Sequence, residues 1–502
     1  MQPAKVARGR HLFSFHSTRV VAGERRKMAQ KRNFINRLPD EVLSMVFDRL
    51  DFESLKNASL TCHRWNNAIF EGGCLERFLL VVDCRSPALS NRNPLKSLAP
   101  RIKLLTRHTT RRYRNLRITV VPGMENVFTT IWRVIHPKIT SNIRWLYVGY
   151  IRAQMSDLLP LLIDSIPSLL HLQSLMVDEE SAMGSGGFFS KIPQKQIPKI
   201  RSKSLQELGM RCSYRYTVDL PQLETFQGAL SALNLPDDSS QSLMLSNLKL
   251  LQILAKNDDS INPTVFRRMP NLHSIIWDVP VDEALLIAMC ETYPSLTRLQ
   301  FSPNIMFTDR SLFEHLLKLT ELRQLTFPAI NVSQLVYDFS KFTHLKDLYL
   351  GNNEIPAVTF QSLPNSIRAI GLRLNPNNER NLMEMIPCKF AQLTELHMIF
   401  YDGPASQKIL NILPSLKQLK RLSLTRCNFQ RSFFLGMDTP LPQMRVLQFI
   451  YCTLPTERLL GLQEKFPNVK KPEFIHCFES LPTDVGDLES AFLRLVTYNA
   501  MR

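Results

Sequence analysis

Apolar residues in this chain follow two different rhythms, and the change between them divides the molecule. From Leu38 the sequence runs LPDEVLSMVFDRLDFESLKNASLTCHRWNNAIF, where Leu43, Val46, Phe47 and Leu50 fall at i, i+3, i+4 and i+7, the stripe of an amphipathic helix. Pro39, Asp40 and Glu41 suit its first turn, where a missing N–H and a negative charge are both tolerated. After Asp51 a second stripe steps through Leu55, Ala58, Cys62, Trp65 and Ile69, so a head of two or three short helices is predicted. Such a segment is too short to be comfortable as an isolated core.

Beyond the head the rhythm becomes apolar at i, i+3 and i+5, often with Asn or Cys at i+8. The clearest copies are LTRLQFSPN from Leu296, LKDLYLGNN from Leu345, LKRLSLTRC from Leu419 and MRVLQFIYC from Met444. Others start at Leu116, Ile143, Leu172, Leu205, Leu223, Leu248, Leu272, Leu322, Ile367, Leu393 and Val469. The units are mostly about 25 residues apart, the period of leucine-rich repeats. Each unit predicts a short strand with its i+3 and i+5 side chains inward, and a turn where Asn304, Asn353, Asn375, Cys427, Cys452 or Cys477 satisfies backbone groups. The return segments include VDEALLIAMCETYP, with Asp282 as a helix cap, and Pro270, Pro294, Pro442 and Pro467 each stand two residues before a unit begins.

The expected fold is therefore α/β: a leucine-rich-repeat horseshoe solenoid preceded by a small all-α head. Residues 1–33 read as a basic disordered tail, 36–78 as the head, 79–480 as the repeat array and 481–502 as a C-terminal capping helix striped by Val485, Leu488, Phe492, Leu495 and Val496. Met28 directly precedes the folded pattern, which makes residues 1–27 a candidate upstream extension. Residues 178–204 mix Gly, Ser, Pro and basic residues and read as a loop insertion. The unit from Leu205 to Leu223 is too short for a strand and a helix, so either it is turn-only or one of its starts is misplaced.

Composition adds limits. No apolar run reaches the roughly 18 residues of a membrane helix. Nine cysteines without a C-x-x-C pair or zinc-ligand spacing predict free thiols in a reducing compartment, cytoplasm or nucleus, with no metal and no cofactor. The formal charge of +18 raises nucleic acid as a partner, most of all around RIKLLTRHTTRRYRNLR. The outward strand positions mix Gln, Thr, Asp and Glu with apolar residues instead of continuing that charge, which disfavours a phosphate-tracking groove. Phosphate-binding, dinucleotide, zinc-protease and serine-hydrolase motifs are all absent, so no catalytic residue is assigned.

Leu38-Pro39, Glu41, Leu43, Phe47, Leu50, Leu55, Cys62 and Trp65 stand where an F-box has its Leu-Pro, its helix stripe and its Cys-x-x-Trp. The chain beyond residue 35 thus resembles the F-box and leucine-rich-repeat family. That resemblance implies a non-catalytic subunit of an SCF (Skp–cullin–F-box) ubiquitin ligase, a substrate receptor whose targets go to the proteasome. Leu38, Pro39, Leu43, Phe47, Leu50 and Leu55 would meet the Skp-type adaptor and, through it, the cullin–RING ligase, with Trp65 bracing the helices. A non-degradative scaffold is the alternative. The repeats would hold a protein substrate on their concave face, where Arg298, Gln300, Tyr349, Arg373, His397 and Arg421 project outward, and Tyr349, Arg373, His397 and Arg421 are expected to form one patch. Trp145, Tyr147, Met176, Asp178, Asp347 and Glu395 occupy equivalent positions.

Overall fold

The computed structural model describes residues 35–71, 73–83, 113–121, 125–151, 158–180, 197–212, 214–233, 244–255, 261–302, 306–307, 311–327, 329–330, 337–350, 356–374, 379–455 and 459–479. The basic tail, Arg101 to Arg112, the centre of the loop insertion, the capping helix, Asn304, Asn353 and Asn375 lie outside them. The chain divides into two compact units, one comprising residues to 80 together with 109–115, the other the remainder.

In the first unit three helices form, α1 (Asp40–Asp48), α2 (Phe52–Ser59) and α3 (His63–Glu71). Asp51 caps α2, its carboxylate accepting from Ser54 N at 2.8 Å and from Ser54 Oγ at 2.9 Å. Those bonds favour the ionised form and hold its carboxyl below the usual carboxylate range. The second stripe is split: Ser59 Oγ donates to Lys56 O and Thr61 Oγ1 to Asn57 O, so hydroxyls take carbonyls that a continuing helix would use. Cys62 lies exposed in the resulting turn and not on the buried face.

Leu43, Phe47, Leu55, Ala58, Ile69, Phe70, Cys74 and Phe78 make the core of this unit, with Leu38, Leu50, Trp65 and Ala68 packed against it. Trp65 meets Phe47 edge-on, ring centroids 5.4 Å apart. Arg77 closes the C-terminal end of α1, donating to the carbonyls of Phe47, Asp48 and Leu50, where the orphan carbonyls attract a cation. At the other end Arg64 pairs with Asp40 at 2.8 Å and donates to Leu38 O. Arg114 pairs with Glu76, which removes it from the set of free phosphate-binding arginines expected from the basic run.

The second unit is built on a parallel sheet with one strand per repeat. Its strands are β1 (Asn115–Val120), β2 (Trp145–Ile151), β3 (Ser174–Glu180), β4 (Glu207–Arg211), β5 (Thr225–Ala229) and β6 (Leu250–Ala255). They continue as β7 (Ser274–Trp277), β8 (Arg298–Phe301), β9 (Gln324–Thr326), β10 (Asp347–Tyr349) and β11 (Ala369–Arg373). The last are β12 (Glu395–Pro404), β13 (Arg421–Asn428), β14 (Val446–Ile450) and β15 (Glu473–Ile475). From β2 to β15 each strand pairs with the next in sequence order.

Register turns the apolar spacing into ladders. Leu299, Leu325, Leu348, Ile370, Leu396, Leu422 and Leu447 are successive Cα partners, and all are fully buried. Residues between them point to the outward face. Where the return segment is a helix, as in Glu283–Thr292, Asp282 caps it by accepting from Leu285 N at 3.0 Å. Aromatic rings also fill the space behind the strands: Phe313, on the helix Ser311–Leu316, lies 4.5 Å from Tyr337 and 5.2 Å from Phe339 between ring centroids. The short unit has both strands, β4 and β5, in the sheet; its return carries no helix, only Thr217–Asp219 paired with Lys199–Arg201.

Cys427 lies near the end of β13, and Cys452 and Cys477 just after β14 and β15, each preceded by a left-handed residue, Arg426, Tyr451 or His476. The thiols of Cys452 and Cys477 donate back to Leu424 O and Phe449 O of the previous repeat, both at 3.3 Å. Its contact with Cys427, together with burial, pushes the Cys452 thiol up to about 12. Cys452 and Cys477, both raised, therefore stay protonated and serve as donors that tie one turn to the next.

Candidate functional site

The first unit offers an apolar surface on its helices. Leu43, Phe47 and Leu55 are 0, 1 and 0% exposed, so they build the interior and cannot themselves meet a partner while the core is packed. This corrects the expectation of direct contact: a helix stripe satisfied by neighbouring helices is core. Leu38 and Leu50 are half-buried and Pro39 is exposed. The outward apolar residues are others, with Met45 at 68% exposed and Val42, Val46 and Leu60 also open. Spacing alone could not separate Val46 from Phe47, which are neighbours on the same helical turn.

In the second unit two rows of side chains run across the outward face through β8 to β13. One is Arg298, Gln324, Asp347, Ala369, Glu395 and Arg421; the other is Gln300, Thr326, Tyr349, Gly371, His397 and Ser423. Along the first row Arg298 Nε donates to Gln324 Oε1, and Gln324 Nε2 donates to Asp347 Oδ2. Glu395 lies 3.6 Å from Arg421 Nε and 3.8 Å from His397 Nε2. In the second row the Tyr349 and His397 rings come together across the intervening strand, centroids 5.2 Å apart.

Gly371 makes that approach possible. A Cβ there would sit 2.6 Å from Tyr349 Cδ1, so any side chain would displace the ring. The glycine in AIGLRL, inside an otherwise apolar strand pattern, is the sequence signal for such a close contact. Substituting Gly371→Ala is expected to swing Tyr349 away from His397. The imidazole signals of selectively labelled histidine would move as the ring current is lost, and unchanged signals would mean that Tyr349 is not held there.

Of the four residues expected in one patch, Tyr349 and His397 touch, and Arg421 joins them through Glu395. Arg373 is one outward step further along β11, beside Ile399. Arg298 belongs to the Gln324–Asp347 chain, and Gln300 stands two strands before Tyr349. Burial lowers the His397 pKa, opposed by Glu395, so the ring is neutral at physiological pH. As pH falls below about 6.5 the unfolded chain takes up this proton first, and stability drops with it. Burial raises Tyr349 to about 12, keeping its hydroxyl protonated as a donor. The two rows thus form a mixed polar and aromatic surface. A second aromatic group lies near the start of the sheet, where Trp145 stacks on Tyr147, Arg117 covers the Tyr147 ring at 4.9 Å and Tyr147 Oη donates to Asp178 Oδ2 at 3.3 Å.

Among the described residues no helix is long and apolar enough to cross a membrane, and no cluster of His, Cys, Asp and Glu is arranged to hold a metal ion.

Comparison with solved structures finds a TLR13–ssRNA13 complex at TM-score 0.37 and 17% identity, covering 75% of this chain and 51% of that one. It also finds the mouse RP105/MD-1 complex at TM-score 0.36 and 12% identity, covering 74% of this chain and 63% of that one. Among curated proteins, human F-box only protein 48 is 43% identical over 49 residues, which is 10% of this chain and 32% of the relative. The mouse F-box only protein 48 is 50% identical over 46 residues, 9% of this chain and 29% of the relative. The chain therefore spans less than a third of the length of these relatives. Residues 35–78 match the F-box-like family model, and the three-helix head is an F-box-like domain.

Proposed function

We propose that this protein is the substrate-recognition adaptor of an SCF-type ubiquitin ligase. Residues 35–78 bind a Skp-type adaptor, and the leucine-rich-repeat array, curved as a horseshoe, presents a target protein for ubiquitination. The observation that carries the reading is the F-box-like match over the very segment whose helices leave Met45, Val42 and Val46 open to solvent. Apolar side chains exposed together on a small helical head are what partner packing removes from water. In this assignment Pro39, Leu38 and Leu50 lie at the contact, while Leu43, Phe47 and Leu55 hold the helices in position for it. Tyr349, His397, Arg421, Arg373, Arg298 and Gln300 serve the target. The chain supplies no chemistry of its own; holding the target near a charged ubiquitin carrier raises the local concentration of reacting groups. The ligase acts in the cytoplasm or nucleus.

Co-purification from cells tests this. The wild-type chain is expected to recover a Skp-type adaptor and a cullin, and Val46→Asp combined with Met45→Asp to lose both while the fold persists by circular dichroism. Leu38→Ala with Pro39→Ala is expected to weaken recovery in the same direction. A folded wild-type chain that recovers neither protein overturns the assignment.

A further inference from the structure

Mixed charge on the outward strand positions does not extend to the residue just before each strand. From β9 to β14 that position is held by Arg323, Lys346, Arg368, Thr394, Lys420 and Arg445, with Thr394 the one uncharged member and no acid among them, and Lys470, three residues before β15, stands at the equivalent register position. Their alignment is fixed by the backbone: Lys346 N donates to Arg323 O at 2.8 Å, Arg368 N to Lys346 O at 2.7 Å, and Thr394 N to Arg368 O at 2.7 Å. Lys420 N then donates to Thr394 O, and Arg445 N to Lys420 O, both at 2.8 Å. Most of these carbonyls also accept from the next residue's N–H, so this corner recurs in the same geometry repeat after repeat. Lys470 continues the row, because Gln448 and Glu473, three residues further on in each unit, are register partners.

The result is a line of cations along one edge of the sheet, spaced by about 4.8 Å per strand. The six basic members are exposed. Among the described residues Arg323, Lys346, Arg368 and Lys420 have no ion-pair partner. The nearby acids are engaged elsewhere, Asp347 with Gln324 and Glu395 between Arg421 and His397. Like charges opposite one another on adjacent strands oppose sheet formation, so the row is a cost to folding that a negative ligand would offset.

We infer that this edge binds an extended, negatively charged segment of a polypeptide. Resting on the substrate-receptor reading above, the inference specifies the class of target: one carrying a run of carboxylates or phosphoserines. A polypeptide fits better than a nucleic acid for two reasons. The row itself contains no aromatic side chain on which bases could stack. Asp347 and Glu395 flank it, and an extended peptide can direct alternate acidic side chains to the row and neutral ones toward Tyr349 and His397, as a uniformly charged sugar-phosphate backbone cannot.

The test is fluorescence-anisotropy titration of the full chain, without adaptor or ligase, against labelled alternating Glu-Ser, phosphoserine-Gly and Lys-Ser peptides and a single-stranded oligonucleotide. One or both acidic peptides are expected to bind, more weakly as salt rises, and the Lys-Ser peptide not to bind. Changing Arg323, Lys346, Arg368 and Lys420 together to Gln should weaken that binding roughly tenfold or more. Changing Arg267, Lys341, Arg380 and Lys408 on the return segments, the same number of charges removed, should change it less than about twofold. Thermal melting of both variants near the wild-type temperature shows that binding and not folding is read. Equal loss in the two variants, no binding of either acidic peptide, or row-dependent binding of the oligonucleotide tighter than that of the peptides overturns the inference. Because no ligase subunit is present, the outcome is independent of whether the adaptor is recruited.

Discussion

Phe47→Ala is expected to remove about 3–5 kcal/mol from the F-box-like unit, the range for truncating a buried aromatic ring. Phe47 is 1% exposed, packs edge-on against Trp65 and shares the core with Leu43 and Leu55. A small domain has little stability to lose, since total unfolding free energies are about 5–15 kcal/mol even for larger ones. The unit should therefore open much of the time. Hydrogen exchange on the intact chain would read this as lost protection in peptides covering 40–71, with peptides from β8 to β14 unchanged, and adaptor recovery would fall in parallel. Met45→Ala, on the same helix but largely exposed, should stay within about 0.5 kcal/mol of wild type in stability and still reduce adaptor recovery. That contrast separates residues that hold the surface from residues that form it; equal protection in the two variants would refute the division.

Leu348→Ala should cost about 2–5 kcal/mol, because the side chain is fully buried in the middle of a ladder and the strands on either side are hydrogen-bonded in fixed register, leaving little scope for collapse. Repeat arrays distribute their stability through nearest-neighbour interfaces, so the damage should be local. Peptides containing Leu325 and Ile370, its register partners, are expected to lose protection first, and peptides from β2 and β3 last. Leu348→Met, which nearly conserves volume, should cost less than about 1.5 kcal/mol. A uniform loss across all the strands would show that the array unfolds as one block and that the neighbour description fails. Local loss at β10 would also disturb Tyr349, the residue next to the defect and part of the candidate recognition surface.

Sequence alone determined the elements that depend on local pattern. The stripe at Leu43, Val46 and Phe47 specifies a helix because helical neighbours recur every three or four residues, and the i, i+3, i+5 rhythm specifies a strand because side chains alternate. Asp282 as a helix cap follows from the same local chemistry and is present. Each of these needs only residues close along the chain.

Tertiary structure decided what depends on residues far apart. Whether an apolar residue is core or contact is set by what covers it, and so Leu43, Phe47 and Leu55 proved internal while Val42, Met45 and Val46 are outward. Strand register brought Tyr349 to His397 over Gly371, residues separated along the chain by whole repeats. It also aligned Arg323, Lys346, Arg368 and Lys420, each unremarkable in its own unit, into one row of charge. The physical reason is the same in all three cases: burial and summed electrostatics belong to neighbours in space, which the periodicity of a chain implies but does not place.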